Sequence, residues 1–153
     1  MGRNSNLRGN TLSTVDILRQ VWLFSGLDEQ QLEAVSSFTF QKSFSPGELI
    51  VEEGRTGNGM YAIISGNVEA VKSLGTDRER TVNRLGTGEV FGEMALLGEW
   101  PRTASVRAVD EVECLGIDRW VFLTQLERHP QVGIRLLQVL AQKLRDSDAR
   151  LVE

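Results

Sequence analysis

The sequence predicts an α+β fold in which helices at both ends enclose an antiparallel sandwich, barrel or roll. Three observations point there. Eleven of the fifteen glycines fall between Gly47 and Gly116. Within that stretch, short apolar segments recur at about ten-residue spacing, the rhythm of a small all-β unit. On either side apolar residues recur at three- and four-residue spacing, which is the helical period. An α/β sheet is excluded, because no helix-length segment alternates with the strands.

Taken in order, residues 1–10 are polar and glycine-containing and read as a flexible tail, leaving 11–153 as one domain. Ser13-x-x-Asp16 has the form of a capping box, followed by Ile17, Leu18, Val21 and Trp22 on one helical face. Asp28 is placed to N-cap a second short helix, with Gln31 at its third position and Leu32 and Val35 turned inward. The strand segments, spanning 38–117, are Phe38-x-Phe40, Leu49–Val51, Met60–Ile64, Val68–Val71, Val82–Leu85, Val90-Phe91, Val106-x-Ala108 and Val112–Ile117. Pro46-Gly47, Gly66-Asn67, Leu74-Gly75 and Gly86-Thr87-Gly88 supply the turns. Helices return over 118–153. Asp118 caps one carrying Trp120, Val121, Leu123 and Leu126, which stops before His129-Pro130 because proline disfavours helix in the residue before it. A single helix can then run from Pro130 nearly to Glu153.

Composition narrows the functions. With 17 basic and 21 acidic residues the formal charge is −4, which lacks the cationic excess that non-specific nucleic-acid binding requires. The one cysteine, Cys114, excludes an internal disulfide and any cysteine-held iron–sulfur cluster, and reads as an inert core thiol. The one histidine, His129, excludes a cupin-type site built on clustered imidazoles. The densest apolar run, Met60–Ile64, falls far short of a bilayer span of about 20 residues. A cytoplasmic protein with no membrane partner is expected. No nucleophile–base pair is identifiable, so an enzyme is not expected.

The most informative stretch is FGEMALLGEWPRTASV, from Phe91 to Val106. A turn glycine and a carboxylate, Gly92 and Glu93, lead into the short apolar turn Met94–Leu97, then Pro101, Arg102 and two small residues before a strand. Such a segment suits a small phosphorylated ligand. Backbone N–H groups at a helix start attract an anion, and Gly92 and Ala95 let the backbone come close. Arg102 offers a planar fork for phosphate oxygens, and an ionised Glu93 can only accept, as from sugar hydroxyls. By residue type alone, a turn and a surface ion pair explain the same residues. Dinucleotide and Walker-type loops fit worse: Gly86-x-Gly88-x-x-Phe91 lacks its last glycine, and no Gly-Lys dipeptide occurs.

In order and spacing the segment resembles the phosphate-binding cassette of cyclic-nucleotide-binding domains, which occur in receptor-protein and FNR-type regulators, kinases and channels. The resemblance runs from Ile17 to about Val152. It includes Phe24-x-Gly26-Leu27, Phe44-x-Pro46-Gly47-Glu48, Glu53-Gly54, Met60-Tyr61-x-Ile63-x-x-Gly66-x-Val68 and Gly88-x-x-Phe91-Gly92-Glu93. It implies a jelly-roll-like antiparallel β-roll flanked by N-terminal helices and a long C-terminal helix, holding cyclic AMP or cyclic GMP as ligand and needing no cofactor or metal. It places Gly92, Met94 and Ala95 at backbone contacts, Glu93 at the ribose 2′-hydroxyl and Arg102 at the cyclic phosphate. Thr103 would add a hydroxyl and Ala104 another backbone contact, with Val82 and Leu85 as purine walls. Arg55 and Ala62 depart from the family pattern outside the cassette.

Leu137, Leu144 and Leu151 stand seven apart, with Leu140 between them and Ser147 at the next equivalent position. That is a short coiled-coil seam, whereas Val132, Leu136 and Val139 form a second face for the roll. A homodimer through this helix is expected, against a monomer that packs both stripes internally. Ser147 resembles the hydroxyl that contacts adenine in receptor-type members; Thr103 resembles the threonine of cyclic-GMP-responsive ones. Cyclic AMP is expected to be favoured, with cyclic GMP also bound. The chain ends at Glu153, where transcription-factor members continue into a helix-turn-helix. The expectation is therefore a non-catalytic sensor module that binds no nucleic acid itself. The sensor part of a transcription regulator and a ligand-free interaction module on the same fold are the alternatives.

Overall fold

The computed structural model describes the backbone of residues 13–152 and the side chains of residues 13–148. The tail assigned to 1–10 lies outside these residues. Both capping boxes form. Ser13 caps α1 (Thr14–Arg19) with Asp16 bonding back, and Asp28 caps α2 (Glu29–Ser36) with Gln31 bonding back. Trp22 does not extend α1 as expected. The helix stops, and Trp22–Phe24 form a separate 3₁₀ turn. The reason is Leu23, which a continued helix would turn away from Ile17 and Leu18; after the break Leu23 and Phe24 are both buried.

Eight antiparallel strands follow: β1 (Phe40–Phe44), β2 (Leu49–Val51), β3 (Gly59–Ser65), β4 (Val68–Lys72), β5 (Arg80–Leu85), β6 (Val90–Phe91), β7 (Ser105–Ala108) and β8 (Val112–Asp118). They make two four-stranded sheets, ordered β1-β8-β3-β6 and β2-β7-β4-β5. β3 and β8 are buried on both faces. Ile63, Val112 and Cys114 point into the roll with Phe44, Val68, Val106 and Ala108. Met60, Ala62, Leu115 and Ile117 face the helices, against Ile17, Leu18, Leu32, Phe122 and Leu136. The period-2 alternation of a strand thus feeds two cores from one pair of strands. Cys114 is fully buried, and burial first, then the Glu113 charge, pushes its thiol up to about 12, so it stays protonated. β5 is an edge strand guarded by Arg80 and Arg84.

Asp118 caps α3 (Arg119–Arg128), and α4 (Pro130–Val152) follows directly. On α3, Trp120, Val121 and Leu123 are exposed, while Arg119 and Phe122 are buried and Leu126 is half-buried. Its phase is set by Phe122, which meets the Phe24 ring at 5.9 Å, and by the bonds of Arg119 described below. On α4, Val132 and Leu136 are buried and Val139 is half-buried against Gly26. Leu140, expected in the seam, packs instead on the helical core, while Leu137 and Leu144 remain exposed. The Leu151 side chain lies outside the described residues. No described helix is long and apolar enough to cross a membrane.

Two strand glycines differ in what their close approaches demand. A Cβ on Gly59 would sit 1.9 Å from the Ile117 carbonyl oxygen, whereas one on Gly116 would meet only the partly exposed ring of Phe40. Gly59→Ala should therefore cost about 2–3 kcal/mol, because backbone must shift, and Gly116→Ala clearly less, because a ring can swing away. Urea midpoints of the two variants check the order; equal losses would reject the assignment.

Candidate functional site

The site grows from a pairing between residues 54–57 and 100–102. Gly54 N–H donates to the Arg102 carbonyl at 2.8 Å, Arg102 N–H donates to the Arg55 carbonyl at 2.7 Å, and Gly57 N–H donates to the Trp100 carbonyl at 3.0 Å. Arg102 is thereby fixed at the backbone, and its Nη2 donates to the Gly59 carbonyl at 2.7 Å. Its guanidinium passes between two glycines. A Cβ at Gly57 would lie 2.7 Å from Nε, and one at Gly92 would lie 2.2 Å from Nη1. Gly92, at φ +80°, also adopts a left-handed conformation that L side chains disfavour. The close approach that Gly92 permits is thus first of all that of the arginine itself.

Among the described residues no carboxylate lies within ion-pair distance of Arg102, although the side chain is half-buried. Burial lowers its pKa; nearby Tyr61 opposes this and the Arg119 cation adds to it. An arginine nevertheless stays charged at ordinary pH, so the site presents a partly dehydrated cation without a counter-ion. Arg102 lines a cleft of about 380 Å³ together with Phe40, Leu49, Val51, Tyr61 and Asp118. That volume falls within the range of about 300–1,000 Å³ typical of small-molecule sites. Tyr61 stacks on Phe91 at 5.7 Å and takes Phe40 and Phe44 edge-on, giving the cleft an aromatic wall beside its cation.

The cassette segment folds as a single 3₁₀ turn, Glu93–Leu96, on top of β3. Ala95 is buried and its N–H is taken by the Gly92 carbonyl, whereas Met94 is 45% exposed. Glu93 accepts a hydrogen bond from the Trp22 indole Nε1 and does not line the cleft. Thr103 is exposed and Ala104 half-buried, both next to Arg102 in the chain. Leu85 packs against the roll core, but Val82 is exposed on β5, and Ser147 is exposed near the end of α4. The structure thus brings Gly92, Ala95 and Arg102 together, and it leaves Val82 and Ser147 off the cleft.

Several residues carry the site without a signal in the sequence. Arg119 Nη1 donates to the carbonyls of Gly57 at 2.6 Å, Ala95 at 3.0 Å and Gly98 at 3.2 Å, and its backbone N–H donates to Asn58 O at 2.7 Å. One side chain therefore joins the cleft loop, the cassette turn and the start of α3. Nothing local marks it, because its partners are carbonyls that any sequence supplies. Tyr61 and Phe40 read as ordinary strand residues, and Trp22 as part of an apolar helical face.

Comparison with known proteins agrees with this geometry. The family described as Cyclic nucleotide-binding domain matches residues 41–129. The Cyclic AMP receptor protein of Thermus thermophilus is 36% identical over 129 residues, 84% of this chain and 60% of that one. A cGMP-dependent protein kinase of Drosophila melanogaster is 36% identical over 110 residues, 70% of this chain and 12% of the kinase. The crystal structure of the N-terminal domain of a transcriptional regulator from Streptomyces coelicolor superposes with a TM-score of 0.80 at 27% identity, covering 88% of this chain and 94% of that one. The chain spans only about 60% of the length of the curated receptor proteins it matches. With the cassette, the roll and the family match in agreement, the chain belongs to the cyclic nucleotide-binding domain family.

Proposed function

We propose that the chain is a non-catalytic sensor module that binds a cyclic nucleotide monophosphate, cyclic AMP in preference to cyclic GMP. The observation that carries this reading is the half-buried, carboxylate-free guanidinium of Arg102 at the wall of the cleft. A dehydrated cation gains most from an anion that can take its fork, and a cyclic phosphate has two free oxygens to offer. Gly92, Met94, Ala95 and Ala104 are proposed as backbone contacts, Glu93 as the ribose 2′-hydroxyl acceptor and Thr103 as an added hydroxyl. Tyr61 and Phe40 offer the base a wall that Val82, exposed on its edge strand, does not. The name of the Thermus relative supports cyclic AMP, and that of the kinase supports some tolerance of cyclic GMP.

A second reading, the sensor portion of a transcription regulator, is favoured by the likeness to an N-terminal regulator domain over 94% of that chain. It uses the same site. We further propose a homodimer through α4, supported by Leu137 and Leu144, which are 67% and 64% exposed one heptad apart.

Arg102→Ala should weaken cyclic AMP binding about ten- to hundredfold, since a charge-assisted bond contributes about 1.5–3 kcal/mol. Arg102→Lys should restore only part of it, because the planar fork is lost. Calorimetry with cyclic AMP, cyclic GMP and AMP checks both, and an unchanged affinity in the alanine variant would remove the phosphate assignment. Thr103→Ala should weaken cyclic GMP more than cyclic AMP, by up to roughly tenfold for one neutral hydrogen bond; equal losses would confine Thr103 to the phosphate. For assembly, light scattering should give twice the subunit mass at micromolar concentration, and Leu137→Glu with Leu144→Glu should give a folded monomer. A wild-type mass of one subunit would reject the dimer.

A further inference from the structure

Glu93, the carboxylate proposed for the ribose, is already engaged. Its Oε2 accepts the indole N–H of Trp22, which stands on the 3₁₀ turn 71 residues earlier in the chain. The bond is partly buried, and Glu93 lies off the cleft that Arg102 lines. A face of the same indole is also occupied: Lys143 Nζ of α4 sits 4.4 Å from the ring centroid. A cation over the ring draws electron density from it and sharpens the N–H as a donor, so Lys143 and Glu93 act on Trp22 in the same sense. Trp22 also lines a groove of about 340 Å³ with Gly26, Val139 and Lys143, between the N-terminal turn and α4. The row Glu93–Trp22–Lys143 therefore runs from the cassette to the long helix through one aromatic ring.

We infer that Trp22 is a latch that competes with the ribose 2′-hydroxyl for Glu93, so that ligand affinity and the contact between Trp22 and α4 are coupled. The inference rests on the reading of Glu93 as the ribose contact. Its physical content is an exchange. To reach a sugar hydroxyl in the cleft, the carboxylate must give up the indole N–H, and the free energy of that bond is subtracted from the ligand's. The exchange costs nothing to a ligand without the hydroxyl, which leaves Glu93 where it is. Reciprocity then requires that a bound ribose loosen the Lys143–Trp22–Glu93 row to the same degree that the row weakens the ligand.

The test compares cyclic AMP with 2′-deoxy cyclic AMP by calorimetry on the wild type and on Trp22→Phe, which keeps a ring in place and removes the donor. Trp22→Phe should bind cyclic AMP about tenfold more tightly, the scale of one charge-assisted bond, and should leave 2′-deoxy cyclic AMP unchanged. A gain of equal size for both ligands would reduce Trp22 to packing and overturn the latch. A loss for cyclic AMP alone would overturn it too, because Trp22 would then be steadying Glu93 for the ribose. If Trp22→Phe, with the competing donor removed, binds both ligands equally while Arg102→Ala abolishes binding, the ribose role of Glu93 fails and the latch with it; if the wild type binds neither, the sensor reading itself fails. A second measurement needs no variant at position 22. The indole N–H resonance of Trp22, separated from the other two with Trp100→Phe and Trp120→Phe, should move on saturation with cyclic AMP and stay with the deoxy ligand. The same movement with both ligands, or none with either, would refute the exchange.

Discussion

Arg119 is the constraint on which the rest of the molecule turns. A buried guanidinium needs acceptors close by, and here Nη1 lies within hydrogen-bond distance of three backbone carbonyls while Nη2 stands 3.8 Å from the exposed Glu99 carboxylate. Because those carbonyls belong to Gly57, Ala95 and Gly98, the charge holds the cleft loop against the cassette turn. Because Arg119 is the first residue of α3, the same charge fixes where the helical part of the molecule leaves the roll. The cassette turn and the start of α3 are therefore held together by one side chain. The Phe122–Phe24 contact joins α3 to the N-terminal 3₁₀ turn.

Arg102 is the counterpart with opposite logic. Among the described residues its side chain bonds to the Gly59 carbonyl alone, and its passage between Gly57 and Gly92 leaves no room for a side chain at either of those positions. Two arginines thus share one neighbourhood, one bonded to three carbonyls and one to a single carbonyl. The repulsion between them adds to burial in lowering the Arg102 pKa. An anion arriving in the cleft relieves both penalties together, which is how a rigid roll can concentrate binding energy on one small group.

The two-core arrangement explains why the site can be rigid and still connected. β3 and β8 feed the roll interior from one face and the helical core from the other, and β3 carries Tyr61 of the cleft's aromatic wall. The alternation along those strands makes each face a separate packing problem, so the roll interior can serve a ligand without loosening the helices. Trp22 and α4 lie on the helical side, and Glu93 joins the two.

The sequence by itself determined the elements. Gly-rich turns at regular spacing, two capping boxes and the Asp118 cap are local devices, and each forms where its residues stand, because turn and cap energies depend on neighbours a few positions away. The cassette was legible for the same reason: Gly92, Ala95 and Arg102 lie within eleven residues, and their order and spacing carry the family resemblance. What the tertiary structure decided is everything that depends on partners distant in the chain. The buried face of α3 is one such feature: Arg119 and Phe122 turn inward while Trp120 and Leu123 stay exposed, because the carbonyls of residues 57, 95 and 98 accept from Arg119. Leu140 packs half-buried against the helical core, and Trp22 reaches Glu93, because helix phase and docking angle are fixed by packing across the fold. Carbonyl acceptors carry no residue name and a single tryptophan has no period, so neither leaves a mark in a one-dimensional pattern.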